Sequence, residues 1–211
     1  HRSSSYLDIF EKTKGLLKKV MNIPDDYKIV FIQGGATQQF SMVPLNLLKN
    51  GKADYIITGA FSKKAAAEAK KFGEINIAYD GSVNNFKHIP TQDELNLDPE
   101  ASYVHLCANN TIYGTEWKYV PETNGVPVIV DMSSNILSKP VDVSKYGMIY
   151  AGAQKNMGIA GLGVAIIKED LLQKVAPTTP VLLDYKLMID NDSMYNTPPA
   201  YAIYVLGLVL E

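Results

Sequence analysis

The chain has 211 residues, enough for one large domain with its own core, and its 46% hydrophobic and 20% charged content is that of an ordinary globular protein. A net charge of −2 gives no electrostatic case for nucleic acid or an anionic membrane as partner. No apolar run approaches the roughly 18–20 residues of a membrane span, and the single cysteine, Cys107, excludes an internal disulfide framework and fits a reducing, cytoplasmic setting.

In chain order, residues 5–21 carry Tyr6, Ile9, Phe10, Leu16, Leu17 and Val20 near helical spacing, after serines that can cap. Pro24-Asp25-Asp26 predicts a turn, 27–33 (YKIVFIQ) an apolar strand and Gly34-Gly35-Ala36-Thr37 a tight turn into a helix over 38–48, which Pro44 should kink or disrupt. A strand at 53–59 precedes a strong helix over 61–73, stopped by Gly73. INIAYD (75–80), SYVHLC (102–107), VPVIVD (126–131), GMIYAG (147–152) and LGVAIIK (162–168) read as further strands, and KEDLLQKV (168–175) as a short helix. The stretches 80–100 and 180–198 are polar and irregular and suit a rim or interface. The final run, AIYVLGLVL, reads as a helix with no stop signal, and the chain opens on His1 without a Met, so it is expected to be a piece of a longer protein. Strands that are apolar throughout and alternate with helices predict an α/β fold: a mostly parallel sheet covered on both faces.

In such sheets ligands sit beyond the carboxyl ends of the strands. The residues there are Gly34 to Thr37, Phe61, Asn109 to Thr111, Asp131 with Ser133 and Ser134, and Gln154-Lys155. Each has a plain structural reading: Lys155 as a solvated cation, Asp131 as a turn cap, Gly-Gly-Ala-Thr as a simple connection, Phe61 as core. Each also has a chemical one. A Lys among small residues (Ala151, Gly152, Ala153, Gly158, Gly161) has room to bond an aldehyde on a planar ligand. A strand-end carboxylate can pair with a pyridinium nitrogen. A glycine turn into a helix N-terminus can cradle a phosphate, with Thr37 donating its hydroxyl, and Phe61 can stack on a flat ring. Pyridoxal phosphate combines all four features.

The segments HRSSSY, FIQGGATQQFSMVPLNLL, TGAFSKKAAAEAKKFG, CANNTIYGTEW, VIVDMSSNILSKPVDVSKYGMIYAGAQKNMGIAGLGVAII and NTPPAYAIYVLGLVLE carry a resemblance. Together they span essentially the whole chain in order, and it resembles the phosphoserine aminotransferase family, fold-type I pyridoxal-phosphate enzymes of the class V aminotransferase group. VDMSSN followed by AGAQKNMG is the specific part; NTPP is shared more widely among class V relatives. The resemblance implies a large cofactor-binding domain over 1–211, with a mixed, mostly parallel seven-stranded sheet, lacking the family's N-terminal segment and smaller C-terminal domain.

It also implies roles. Lys155 would bond the cofactor aldehyde and act as general acid–base. Asp131 would pair with the pyridinium nitrogen. Ala36, Thr37 and Gln154 would hold the phosphate, Thr111 the ring hydroxyl, Phe61 the ring face, and Ser133 would join the cofactor-binding set. Asn196 and Thr197 would reach the phosphate of a neighbouring subunit, making a homodimer with shared sites, and His1 and Arg2 would help bind an acidic substrate. Where this chain has Phe61, relatives commonly have Trp, which weakens the expected stacking. The implied reaction is amino transfer between glutamate and 3-phosphohydroxypyruvate, a phosphorylated 2-oxo acid, in serine biosynthesis. Another class V enzyme and a catalytically incompetent dimerising fragment are the alternatives. A dinucleotide-binding reading of GLG and GGAT fails, because no G-x-G-x-x-G follows the first strand.

Overall fold

Ser3 starts the first helix: its hydroxyl accepts the Tyr6 N–H, and α1 (Ser4–Val20) then buries Tyr6, Phe10, Thr13 and Leu17 along one stripe. The computed structural model describes residues 1–211. After α1 come β1 (Tyr27–Gly34), α2 (Ala36–Leu47), β2 (Lys52–Ile57), α3 (Ala60–Ala69), β3 (Glu74–Asp80), β4 (Val104–Cys107), β5 (Asn109–Asn110), β6 (Thr115–Glu116), β7 (Val128–Asp131), β8 (Met148–Gly152), β9 (Gly161–Lys168), α4 (Tyr185–Asp190) and α5 (Ala200–Leu210). No helix is long and apolar enough to cross a membrane.

Seven strands form one sheet in the order β1-β9-β8-β7-β4-β2-β3, and β5 pairs with β6 as a separate small ladder. The expected mixed, mostly parallel sheet is present: β9 alone runs against its neighbours β1 and β8, and all other pairings are parallel. The strands alternate their side chains between two cores. Phe31, Ile56, Leu106, Val130 and Ile149 join the residues of α1 and α5 on one face. Val30, Tyr55, Ile129, Tyr150 and Ala165 join those of α2, α3 and α4 on the other. Burial on both faces is why the strands read as continuous apolar runs.

Several sequence expectations are corrected. Residues 168–175 form only a 3₁₀ turn, Glu169–Leu171. The Glu169 N–H is tied to Asp26 O at 2.8 Å, and the few residues that follow cannot offset the cost of nucleating a helix. The stretch 180–198 is not all rim: Asp184 caps α4 through the Leu187 N–H, and Tyr185 and Met188 are core residues. The stretch 80–100 contains two 3₁₀ turns. The helix predicted over 61–73 ends at Ala69. Pro44 does not break α2, which runs three residues past it to Leu47.

Past Pro44, the Asn46 side chain does the fastening. Its Nδ2 donates to Met42 O at 2.8 Å and Leu183 O at 2.7 Å, and its Oδ1 accepts the Tyr185 N–H at 3.0 Å. The Tyr185 hydroxyl then donates to Gln39 Oε1 at 2.5 Å. These buried bonds lock α2 to α4. Asn46→Ala strands buried backbone groups without partners, so it is expected to destabilise the fold by about 2–3 kcal/mol, read as a lowered urea midpoint with unchanged slope.

Candidate functional site

The carboxyl ends of β4, β7 and β8 stand side by side, with Cys107 opposite Asp131 and Asp131 opposite Tyr150 in register. Over them opens a cleft lined by Gly35, Ala36, Thr37, Phe40, Phe61, Cys107, Asn109, Thr111, Asp131, Ser133, Ser134, Gln154 and Lys155. The segments that follow five different strands, β1, β2, β4, β7 and β8, therefore supply one site. A larger groove beside β1 also carries lysines, but Lys14, Lys18, Lys28 and Lys186 there are paired with Asp192, Asp25, Glu169 and Asp190.

Lys155 sits in the turn between β8 and β9. Its Nζ donates to Thr111 Oγ1 at 2.9 Å and lies 5.3 Å from the centre of the Phe61 ring. No carboxylate neutralises it directly. Asp131 is 7% exposed. One of its oxygens, Oδ1, accepts the Ser133 N–H at 2.8 Å and the Ser133 hydroxyl at 2.6 Å, while Oδ2 has no protein partner. Burial raises the carboxyl above its usual range, opposed by the two Ser133 bonds and by Lys155. Burial and the charge of Asp131 likewise push the Cys107 thiol up, so it lines the cleft as a neutral group.

The third feature is a bare helix end. Gly35 precedes α2 and offers no side-chain cap, and no acidic residue occupies the first turn. The leading N–H groups of α2, from Ala36 and Thr37, point a positive dipole end at the cleft. Gly34, at φ +112°, and its register partner Gly161, at φ +98°, hold left-handed backbone that other residues disfavour, and Gly34 brings β1 into the turn. Gly152 must also be small: a Cβ there would lie 3.2 Å from Ala36 N and 2.5 Å from Gln154 Oε1.

Of the residues named from sequence, Ala36, Thr37, Phe61, Thr111, Asp131, Ser133, Gln154 and Lys155 all line this cleft. The others do not. His1 and Arg2 are exposed at the chain start, where Arg2 Nε donates to His1 Nε2 at 3.3 Å. Asn196 and Thr197 lie at the tip of edge strand β1, where Gln33 bonds both Thr197 O and the Asn196 amide. Phe40 and Cys107 were missed, and Asn109, placed at a strand end from sequence, was given no role. Asn110 was missed as a support: its Oδ1 accepts the Thr58 hydroxyl and its Nδ2 donates to Thr115 Oγ1, both at 3.1 Å, which fixes the loop that carries Thr111. The signal for it was the Asn-Asn pair directly after a strand.

The model of the Aminotransferase class-V family matches residues 1–211. The chain belongs to the class-V aminotransferase family. It is 52% identical to the phosphoserine aminotransferase of Pseudomonas putida and 51% identical to that of Pseudomonas paraeruginosa, with all of this chain and 59% of each relative covered. Among solved structures, the phosphoserine aminotransferase of Bacillus circulans subsp. alkalophilus superposes with a TM-score of 0.95 at 42% identity, covering all of this chain and 58% of that one. The PLP-bound phosphoserine aminotransferase of Trichomonas vaginalis gives 0.94 at 37% identity, covering all of this chain and 63% of that one. The chain thus spans about three fifths of the length of the relatives it matches.

Beneath this cleft the sheet is aromatic. His105, buried, meets the Tyr150 hydroxyl at 2.8 Å and stacks on Tyr55 at 4.7 Å, and burial drives its imidazole down to about 3. A folded-state value below the unfolded one means that His105 supports the fold fully above about pH 6.5, and that this support is lost as pH falls toward 3. The raised Asp131 works in the opposite sense, its protonation favouring the folded state. His105→Gln is therefore expected to lose less stability on acidification than the parent, by about 1.4 kcal/mol per pH unit between pH 6 and 4. Urea midpoints collected across that range check it.

Proposed function

We propose that this chain is the large, cofactor-binding domain of a pyridoxal-phosphate-dependent phosphoserine aminotransferase, acting in the cytoplasm. The observation that carries the reading is the convergence on one cleft of an amine (Lys155), a buried carboxylate with one free oxygen (Asp131) and an uncapped helix N-terminus (α2). These fit the chemical parts of pyridoxal phosphate: an aldehyde for the amine, a ring nitrogen for the carboxylate, a phosphate for the helix end.

When bound, pyridoxal phosphate supplies an electron sink that stabilises negative charge at an amino-acid α-carbon. The chain's residues do the rest. Ala36 and Thr37, with Gln154, hold the phosphate by backbone N–H groups and side-chain donors. Asp131, through its unbonded oxygen, would pair with the ring nitrogen and favour its protonated form. Phe61 would stack on the ring, and Thr111 Oγ1, already a partner of Lys155 Nζ, would hydrogen-bond the ring hydroxyl. Lys155 Nζ would be the amine that holds the cofactor aldehyde and the acid–base group for the proton at the substrate α-carbon.

The substrates on this reading are glutamate and 3-phosphohydroxypyruvate. Arg2, free of any carboxylate, and His1 are assigned to binding them. Asn196 and Thr197, lying outside their own cleft, are assigned to the phosphate of a second subunit, so that the working form is a homodimer. The identity of 52% and 51% to phosphoserine aminotransferases over the whole of this chain supports this reading over another class V chemistry.

The test adds pyridoxal phosphate to the purified chain, reduces with borohydride and maps the modified peptide. The expected result is a visible absorbance band and a label on Lys155, both absent in Lys155→Ala. A label on another lysine, or no band with the protein shown folded, overturns the assignment. Phe61→Trp, which enlarges the stacking surface, is expected to tighten cofactor binding several-fold, about 0.5–1.5 kcal/mol, by fluorescence titration.

A further inference from the structure

Ser133 lines the cleft, yet its hydroxyl is fully engaged within the protein. It donates to Asp131 Oδ1 at 2.6 Å and accepts the Gly152 N–H at 3.0 Å, while its own N–H makes the second bond to the same carboxylate oxygen at 2.8 Å. The serine is 8% exposed. It ties the end of β7 to the end of β8, the strand from which the Lys155 turn departs.

We propose that Ser133 is a positioning residue: by saturating Asp131 Oδ1 from two donors and anchoring on Gly152, it fixes the carboxylate so that Oδ2 alone faces the ring nitrogen. This rests on the cofactor reading above and deepens it. A carboxylate at the end of a four-residue strand can rotate about χ2 and exchange its oxygens; two bonds to one oxygen, one of them from backbone, remove that freedom. The same bonds favour the charged form. The groups facing Asp131 are Cys107 from β4, Tyr150 from β8 and Lys155 from the following turn. Both the thiol and the phenol are pushed up by burial and are neutral, so Lys155 is the one charged neighbour and Ser133 the one hydrogen-bond donor.

The experiment compares the parent, Ser133→Ala and Ser133→Thr with two readouts. The first is the pH titration of the Asp131 side-chain carbonyl by carbon-13 NMR in protein without cofactor, assigned with Asp131→Asn. The second is the nitrogen-15 shift of ring-labelled pyridoxal phosphate added to the same proteins. Ser133→Ala is expected to raise the Asp131 midpoint by about one pH unit and to move the ring nitrogen toward its unprotonated shift, and Ser133→Thr, which keeps the hydroxyl, to stay near the parent in both. The proposal is overturned if Ser133→Ala lowers only thermal stability or cofactor affinity and leaves both spectra at parent values, or if Ser133→Thr behaves as the Ala variant does while remaining folded. If the Asp131 midpoint moves as expected but Asp131→Asn leaves the ring nitrogen unchanged, the positioning of Asp131 stands and the cofactor reading fails.

Discussion

A carboxylate ends a strand whose every residue is buried, and the site is built around the cost of that placement. Asp131 follows Val128, Ile129 and Val130 on β7, between β4 and β8 in the middle of the sheet. Taken from water without partners, such a charge would cost several kcal/mol. Three elements reduce that cost: the Ser133 hydroxyl, the Ser133 N–H and the nearby Lys155. None of them occupies Oδ2. The protein buries a carboxyl group and leaves one of its oxygens unbonded, the kind of arrangement that marks candidate functional sites.

The sheet beneath supplies the contrast. On the same face and one step further from the cleft, His105, Tyr55, Tyr103 and Tyr150 form a layer in which the Tyr55 and Tyr103 hydroxyls bond each other at 2.9 Å and His105 bonds Tyr150. All are polar and all are held neutral by burial. Charge is thereby confined to the strand tips. The floor contributes packing and low dielectric, which strengthens whatever electrostatic pairing Asp131 makes above it.

The chain's sequence made much of this legible, for identifiable reasons. Strands buried on both faces must be apolar throughout, so the five inner strands stood out, and a Lys or Asp that breaks such a run marks a strand tip. Where one residue serves two segments the reading failed. Asp184 reads as a loop acid until its cap on α4 is seen, and 168–175 reads as a helix until the Glu169 N–H is found bonded to Asp26 O. Ser133 was legible as a site residue but not as a support, because its partner on β8 lies nineteen positions away. Asn196 and Thr197 came from motif resemblance, and the fold of one chain places them outside the cleft, at the β1 edge.

Two poles of opposite sign line the cleft, and their separation is set by one residue. The bare α2 terminus is positive and Asp131 is negative. Gly152 lies between them: its N–H bonds Ser133 Oγ, and a Cβ on it would crowd Ala36 N at 3.2 Å. The backbone of β8 can approach α2 only because position 152 has no side chain. On the proposed reading, a ligand with an anionic group at one end and a basic nitrogen at the other would be oriented by these two poles. The amine of Lys155, which no carboxylate neutralises directly, completes the set from the turn that the same strand feeds. Placing the helix end, the carboxylate and the amine at the ends of rigid strands of one sheet fixes their mutual geometry more tightly than mobile loops would, and a flat, doubly charged ligand would then have one way to sit.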